Sequence, residues 1–145
     1  MDIDLEVKLA VYGYFVETSA RPASDEVARR LGVSVGTVRD AFARLRAQRL
    51  LFLEEDGEIR MAPPFSGIPT QHVVDVGGRS YFANCAWDAL GIPAALRKEA
   101  AVLSRCEQSG VPLRLDVGLE GPEPSDWLFH CAVPAARWWD DLVFT

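Results

Sequence analysis

Cys85 and Asp88 stand three residues apart in the run Asn84-Cys85-Ala86-Trp87-Asp88. On a helix that spacing puts both side chains on one face, within reach of each other. A thiolate is the kind of soft ligand that soft metals prefer, and a neighbouring carboxyl group can hold or deliver a proton. Together they suit protonolysis, in which a metal–carbon bond breaks as carbon takes a proton and sulfur takes the metal. A helix start near Asn84 would also lower the thiol pKa. The plainer alternative is a buried cysteine acting as apolar filler, as free cysteines often do, beside a solvent-facing aspartate.

Other residues offer less. His72 and His130 are far apart and at no metal-ligand spacing. Cys131, next to His130, is expected as a strand core residue. Phe82, Trp87 and Trp127 could wall an apolar pocket for an organic group, although all three are equally at home in a core. No glycine-rich phosphate loop, Ser-His-Asp order or nucleotide fingerprint is present.

The elements that must position Cys85 and Asp88 follow from periodicity and turn chemistry. Leu5, Leu9, Tyr12 and Val16 give a first helix an apolar stripe. Ser24 is expected to cap a second helix, DEVARRL, which Gly32 ends, and Ser34 to cap a third in which Val35, Val38, Phe42 and Leu45 share a face. A hairpin over residues 51–61 turns at Glu55-Asp56-Gly57. Three helices and a hairpin predict a winged helix-turn-helix over residues 1–62. Residues 63–70, with Pro63, Pro64 and Pro69, read as an extended linker. The remainder, 71–145, reads as α+β. Short strands flank Gly77-Gly78, and a helix covers residues 84–90, with a second short one beginning at Ile92-Pro93. Further strands are expected at 101–106, 113–119, 127–133 and 142–144, with Pro134 opening a helix through Trp138 and Trp139.

Composition narrows the class. The 145 residues are 49% hydrophobic and 25% charged with a net charge of −6, as in an ordinary soluble globular protein. No apolar run suits a membrane span, and the acidic start lacks the basic opening of a secretory signal, so a cytoplasmic location is expected. Three cysteines, an odd number, argue against a disulfide framework.

The stretch RSYFANCAWDALGIP, residues 79–93, resembles the active-site helix of the organomercurial (alkylmercury) lyases, with the core Cys85-Ala86-Trp87-Asp88-Ala89-Leu90 followed by Gly91-Ile92-Pro93. The resemblance continues through ALRKEAAVLSRCEQSGVPLRLDV, where Cys106 matches a further, structural family cysteine. It implies an N-terminal winged-helix-like region, then a strand pair, then the active helix. It also implies that Cys85 is the thiolate attacking mercury and that Asp88 accepts the thiol proton and protonates the leaving carbon, so that both would serve as catalytic and metal-binding residues. The family's second catalytic cysteine follows a helix like PAARWWDDLVF and would come close to Thr145. No organic cofactor is implied: mercury is substrate and product metal, a small organomercurial is the partner, and external thiols carry the metal away.

The N-terminal half raises a second function. Arg39, Arg44, Arg46 and Arg49 against Asp40 could contact phosphates from a major-groove helix. Residues 1–60, however, hold nine Lys/Arg and eleven Asp/Glu, and the wing carries Glu54, Glu55, Asp56 and Glu58. Nucleic acid is therefore not the expected partner. The alternatives to a lyase are a winged-helix regulator or metal sensor, and a lyase-fold binding protein without catalysis.

Overall fold

A computed structural model describes residues 2–131 and 133–141; the strand expected at 142–144 lies outside them. The chain divides into two units, Met1–Pro69 and Thr70–Thr145, each mixing helix and sheet. Among the described residues no helix is long and apolar enough to cross a membrane.

The first unit holds three helices, α1 (Ile3–Thr18), α2 (Ser24–Leu31) and α3 (Val35–Ala47), then three short antiparallel strands, β1 (Phe52–Leu53), β2 (Ile59–Ala62) and β3 (Phe65–Ser66). Ser34 caps α3 as expected, accepting the Thr37 amide at 3.0 Å. The α1 stripe is corrected: Val7, Val11 and Phe15 are buried, whereas Leu5 and Leu9 are 44% and 56% exposed. At the start of α2 the cap position belongs to Ala23, which has no side chain to serve there. Glu58 from the β1–β2 hairpin does so instead, accepting the Ser24 amide at 2.8 Å and the Ser24 hydroxyl.

Residues 63–70 do not form an extended linker. The chain turns at Pro63-Pro64, joined by a cis peptide bond, and β3 pairs back on β2, Met61 opposite Ser66 and Ala62 opposite Phe65. The reason is Phe65, which is buried and stacks on Phe15 with ring centroids 5.6 Å apart. Gly67 donates its amide to the Arg60 carbonyl at 2.8 Å, and a Cβ at that position would come within 2.5 Å of the same oxygen. Only glycine fits there without movement of the backbone.

The second unit is a five-stranded antiparallel sheet in the order β5-β4-β6-β7-β8, made of β4 (His72–Val76), β5 (Arg79–Ala83), β6 (Ala100–Arg105), β7 (Pro112–Gly118) and β8 (Gly121–Pro122). Gly77 and Gly78 have φ of 57° and 85°, the left-handed pair that a two-residue hairpin turn demands. A single helix, α4 (Ala86–Leu96), replaces the two short ones expected, running through Gly91 and Pro93. Proline in a helix removes a backbone hydrogen bond. Burial of Ala89, Ile92 and Pro93 as α4 rests against β4, β5 and β6 offsets that loss.

The strand expected at 127–133 is absent among the described residues. The loop EGPEPSD instead supplies β8, which pairs with the end of β7 at Val117 and Gly118. Cys131, expected in a strand core, is accordingly exposed. Pro134 does precede a helical turn, a 3₁₀ helix at Ala135–Asp140.

Candidate active site

The β4–β5 hairpin delivers the chain to α4. Along β5, Tyr81 and Ala83 are buried toward the helix side, and the strand's alternation sends Phe82 to the opposite face of the sheet. Phe82 therefore does not wall the Cys85 site. Directly after β5 comes Cys85, which is the N-cap of α4 with extended φ of −144° and ψ of 175°, its carbonyl accepting the Ala89 amide at 3.0 Å.

Cys85 and Asp88 thus meet, but by a different geometry from the helix face that their spacing predicts. They occupy the N-cap and third helical positions, the two partners of a capping box. In the usual box a hydroxyl accepts the third residue's amide and a Glu or Gln side chain reaches back. Here a thiol holds the first place and a short carboxylate the second, and each shifts the other's proton affinity.

Electrostatics at the pair differ from the sequence expectation as well. Burial pushes the Cys85 thiol pKa up. The backbone amides of Asp88 and Trp87 at the helix start do pull it down, as expected, but burial, together with the negative charge of Asp88, outweighs them. Burial also raises Asp88 from an ordinary 3.8 to about 6, while the hydrogen bond from Cys85 pulls it down. Both effects describe one arrangement: a protonated thiol donating to a carboxylate whose affinity for a proton is well above normal. Such a carboxylate can take the thiol proton when a metal displaces it, and can still give it up near neutral pH.

The aromatic surroundings are only partly those expected. Trp87, the second residue of α4, has its ring centroid 6.2 Å from Phe129 and 6.3 Å from Trp138. Phe129 and Trp138 join the site's neighbourhood without having been singled out for it. Trp127 is exposed, with its backbone amide bonded to Ser125 at 3.1 Å. Two concavities of about 650 and 690 Å³ run along β6 and β7 and include neither Cys85 nor Asp88.

The remaining thiols and histidines stand apart from the pair. Cys106 sits in the turn between β6 and β7, its amide donating to the Val111 carbonyl at 2.9 Å. Its pKa is lowered, first by the Ser109 hydroxyl and then by the amides of Ser109 and Gln108. His72 pairs through Nδ1 with Ser104 at 2.7 Å, and burial holds its pKa low. Among the described residues no group of three or more His, Cys, Asp or Glu side chains could hold a metal ion together.

Several known proteins resemble this chain. A family model, MerB: Alkylmercury lyase, matches residues 65–145. An alkylmercury lyase of Pseudomonas putida is 39% identical over 70 residues, 46% of this chain and 33% of that protein. One from Streptomyces lividans is 43% identical over 49 residues, 34% of this chain and 23% of the relative. The matched part thus spans about a third or less of these relatives. In fold, the chain resembles a crystal structure of the mercury-bound form of MerB2, with a TM-score of 0.64 and 24% identity, over 83% of this chain and 60% of that one.

Proposed function

The chain belongs to the alkylmercury lyase family, and on that premise we propose that it cleaves carbon–mercury bonds by protonolysis, with Cys85 taking the metal and Asp88 carrying the proton. The observation that carries the reading is that the two side chains stand together at the start of α4, Cys85 at the N-cap and Asp88 in the first turn, each acting on the other's proton affinity. An organomercurial R–Hg–X meets the Cys85 thiol. Sulfur bonds to mercury, X departs, and the thiol proton passes to Asp88. The carboxylic acid then gives that proton to carbon: the electron pair of the carbon–mercury bond forms the new carbon–hydrogen bond, R–H leaves, and mercury stays on sulfur. One external thiolate completes the metal's coordination; a second external thiol then displaces Cys85, its proton returning to the Cys85 sulfur, and mercury leaves as the bis-thiolate. No organic cofactor takes part.

Burial of the pair serves both steps. A raised carboxylate pKa makes Asp88 a competent acceptor from a thiol, and keeps the acid form populated near the working pH. The raised thiol pKa keeps the proton in place until a soft metal, which competes with it for sulfur, arrives.

The test is hydrocarbon release from phenylmercury or methylmercury in excess low-molecular-weight thiol, followed by gas chromatography. The chain is expected to release R–H, and Cys85→Ser to release none. Release unchanged in Cys85→Ser would remove the assignment. A protein that captures mercury without turnover would instead give stoichiometric Cys85 adducts and no hydrocarbon. The three helices and hairpin of the first unit read as a winged-helix-like module with a structural role.

A further inference from the structure

Trp87 lies between Cys85 and Asp88 in the chain, and its own backbone amide is one of those that act on the Cys85 sulfur. Its indole is 59% exposed, and Phe129 beside it is 47% exposed. Scattered exposed apolar residues need no explanation, but contiguous aromatic surface next to reactive groups does. The third ring, Trp138, has its polar atom occupied, since Nε1 donates to the Val133 carbonyl at 3.0 Å. What it turns toward Trp87 is apolar ring, at 61° and a centroid distance of 6.3 Å; Phe129 meets the same indole at 55° and 6.2 Å. The Trp138 contact is the edge-to-face arrangement that aromatic rings prefer and the Phe129 contact is tilted; a further ring can join such a cluster in the same way.

We propose that Trp87, held by Phe129 and Trp138, receives the organic group of the mercurial and makes this chain favour aryl over methyl groups. The inference deepens the lyase reading and rests on it. With mercury on Cys85, the organic group would project from the metal at the start of α4, where Trp87 follows Cys85 by two residues and sets its backbone amide against the sulfur. A phenyl group has a face and an edge to set against an indole; a methyl group has little area and no quadrupole. Selectivity of this kind arises because a contact is made with one substrate and missed with the other.

The experiment compares hydrocarbon release from phenylmercury and methylmercury, in excess thiol, for the chain, Trp87→Leu, Trp87→Phe and Phe129→Leu. The unaltered chain should favour phenylmercury. Trp87→Leu should lower the phenyl-to-methyl ratio about two- to tenfold, the range that one aromatic contact supplies. Phe129→Leu should move the ratio the same way by less, and Trp87→Phe, which keeps a ring, should retain most of it. No preference in the unaltered chain, or an equal fall for both substrates in Trp87→Leu, would overturn the proposal. If the unaltered chain releases no hydrocarbon, the lyase reading fails separately. Competition of phenylmercury and methylmercury for Cys85, read as adduct masses, then decides: a phenyl preference lost in Trp87→Leu upholds the aromatic surface, and equal labelling refutes it.

Discussion

Glu58 and Asp88 are partly buried carboxylates at the N-termini of α2 and α4, one in each unit, and their surroundings treat them oppositely. Glu58 accepts the Ser24 amide and hydroxyl and pairs with Arg39 at 2.9 Å. It supplies α2 with the cap that Ala23 lacks, and gains a cation as well. Asp88 pairs with a thiol, carries no salt bridge among those of the described residues, and is raised to about 6 by burial. A carboxylate surrounded by donors is an anchor, with its charge fully used in the ground state. One left short of donors keeps its affinity for a proton and can take part in transferring it.

The sharpest way to break that contrast is at Cys85. Cys85→Ser is expected to abolish hydrocarbon release, while Cys106→Ser should leave most of it. Reagent order sharpens the point. Alkylation by iodoacetamide depends on preformed thiolate, so Cys106, with its lowered pKa, should react before Cys85, with its raised one. An organomercurial should reverse the order, because at Cys85 a proton acceptor waits beside the sulfur. Peptide mapping after sub-stoichiometric labelling reads both, and the same order with both reagents would refute the pair's role.

Asp88→Asn should slow hydrocarbon release by about 10²- to 10⁴-fold, the usual contribution of a positioned acid–base group, while Cys85 adducts still form. Stability should move the other way. Because folding raises this carboxyl from 3.8 to about 6, the folded state binds more protons between those values, and stability falls as pH rises through that window. Above pH 6 the ionised group costs at most about 3 kcal/mol. Asp88→Asn should flatten this decline and be more stable than the parent at pH 7 in denaturant titrations. A steeper decline in the variant would show that ionised Asp88 is held as favourably as Glu58.

In the first unit the expected effect is smaller and of opposite sign. Glu58→Ala leaves the Ser24 amide uncapped and Arg39 without its partner, and should destabilise the chain by about 1–2 kcal/mol. Glu58→Gln, which keeps an acceptor, should recover part of that. Chemical denaturation measures both, and a neutral Glu58→Ala would mean that the hairpin carboxylate caps nothing of consequence.

How much of this was legible in the sequence depended on whether a local signal was unique. The Gly77-Gly78 turn and the Ser34 cap were, because few other residues serve those geometries. The α1 core stripe was not. Apolar residues run all round that helix, so Leu5-Leu9-Tyr12-Val16 and Val7-Val11-Phe15 fit the helical period equally well, and only packing chose the second. Phe65 among prolines hid a strand, and the apolar run at 127–131 imitated one that those residues do not form. The pairing of Cys85 with Asp88 followed from type and spacing. Its charge state did not: spacing brings amides to the sulfur, but burial, which decides the direction, belongs to the assembled sheet and helix.

The smallest effect expected is on DNA. Four arginines on and just after α3 look like a phosphate-binding set, but two already have carboxylate partners within the unit. Arg39 pairs with Glu58, and Arg44 with Asp4 at 2.6 Å. The acidic residues of the hairpin are engaged too, Glu54 with Arg21 at 3.1 Å and with Arg60 at 3.4 Å. Releasing Arg39 to a phosphate would break its pairing with Glu58 and its bond to the Ser24 hydroxyl, so binding would have to offset that loss as well as the net charge of −6. Duplex DNA should therefore bind no better than the non-specific regime, about 10⁻⁴ to 10⁻⁶ M at physiological salt, as measured by fluorescence anisotropy. Arg46→Ala should change that by less than about threefold, since a single phosphate contact matters little where none is specific. Nanomolar binding to any duplex, lost in Arg39→Ala, would show that the arginines of α3 face DNA rather than their own fold.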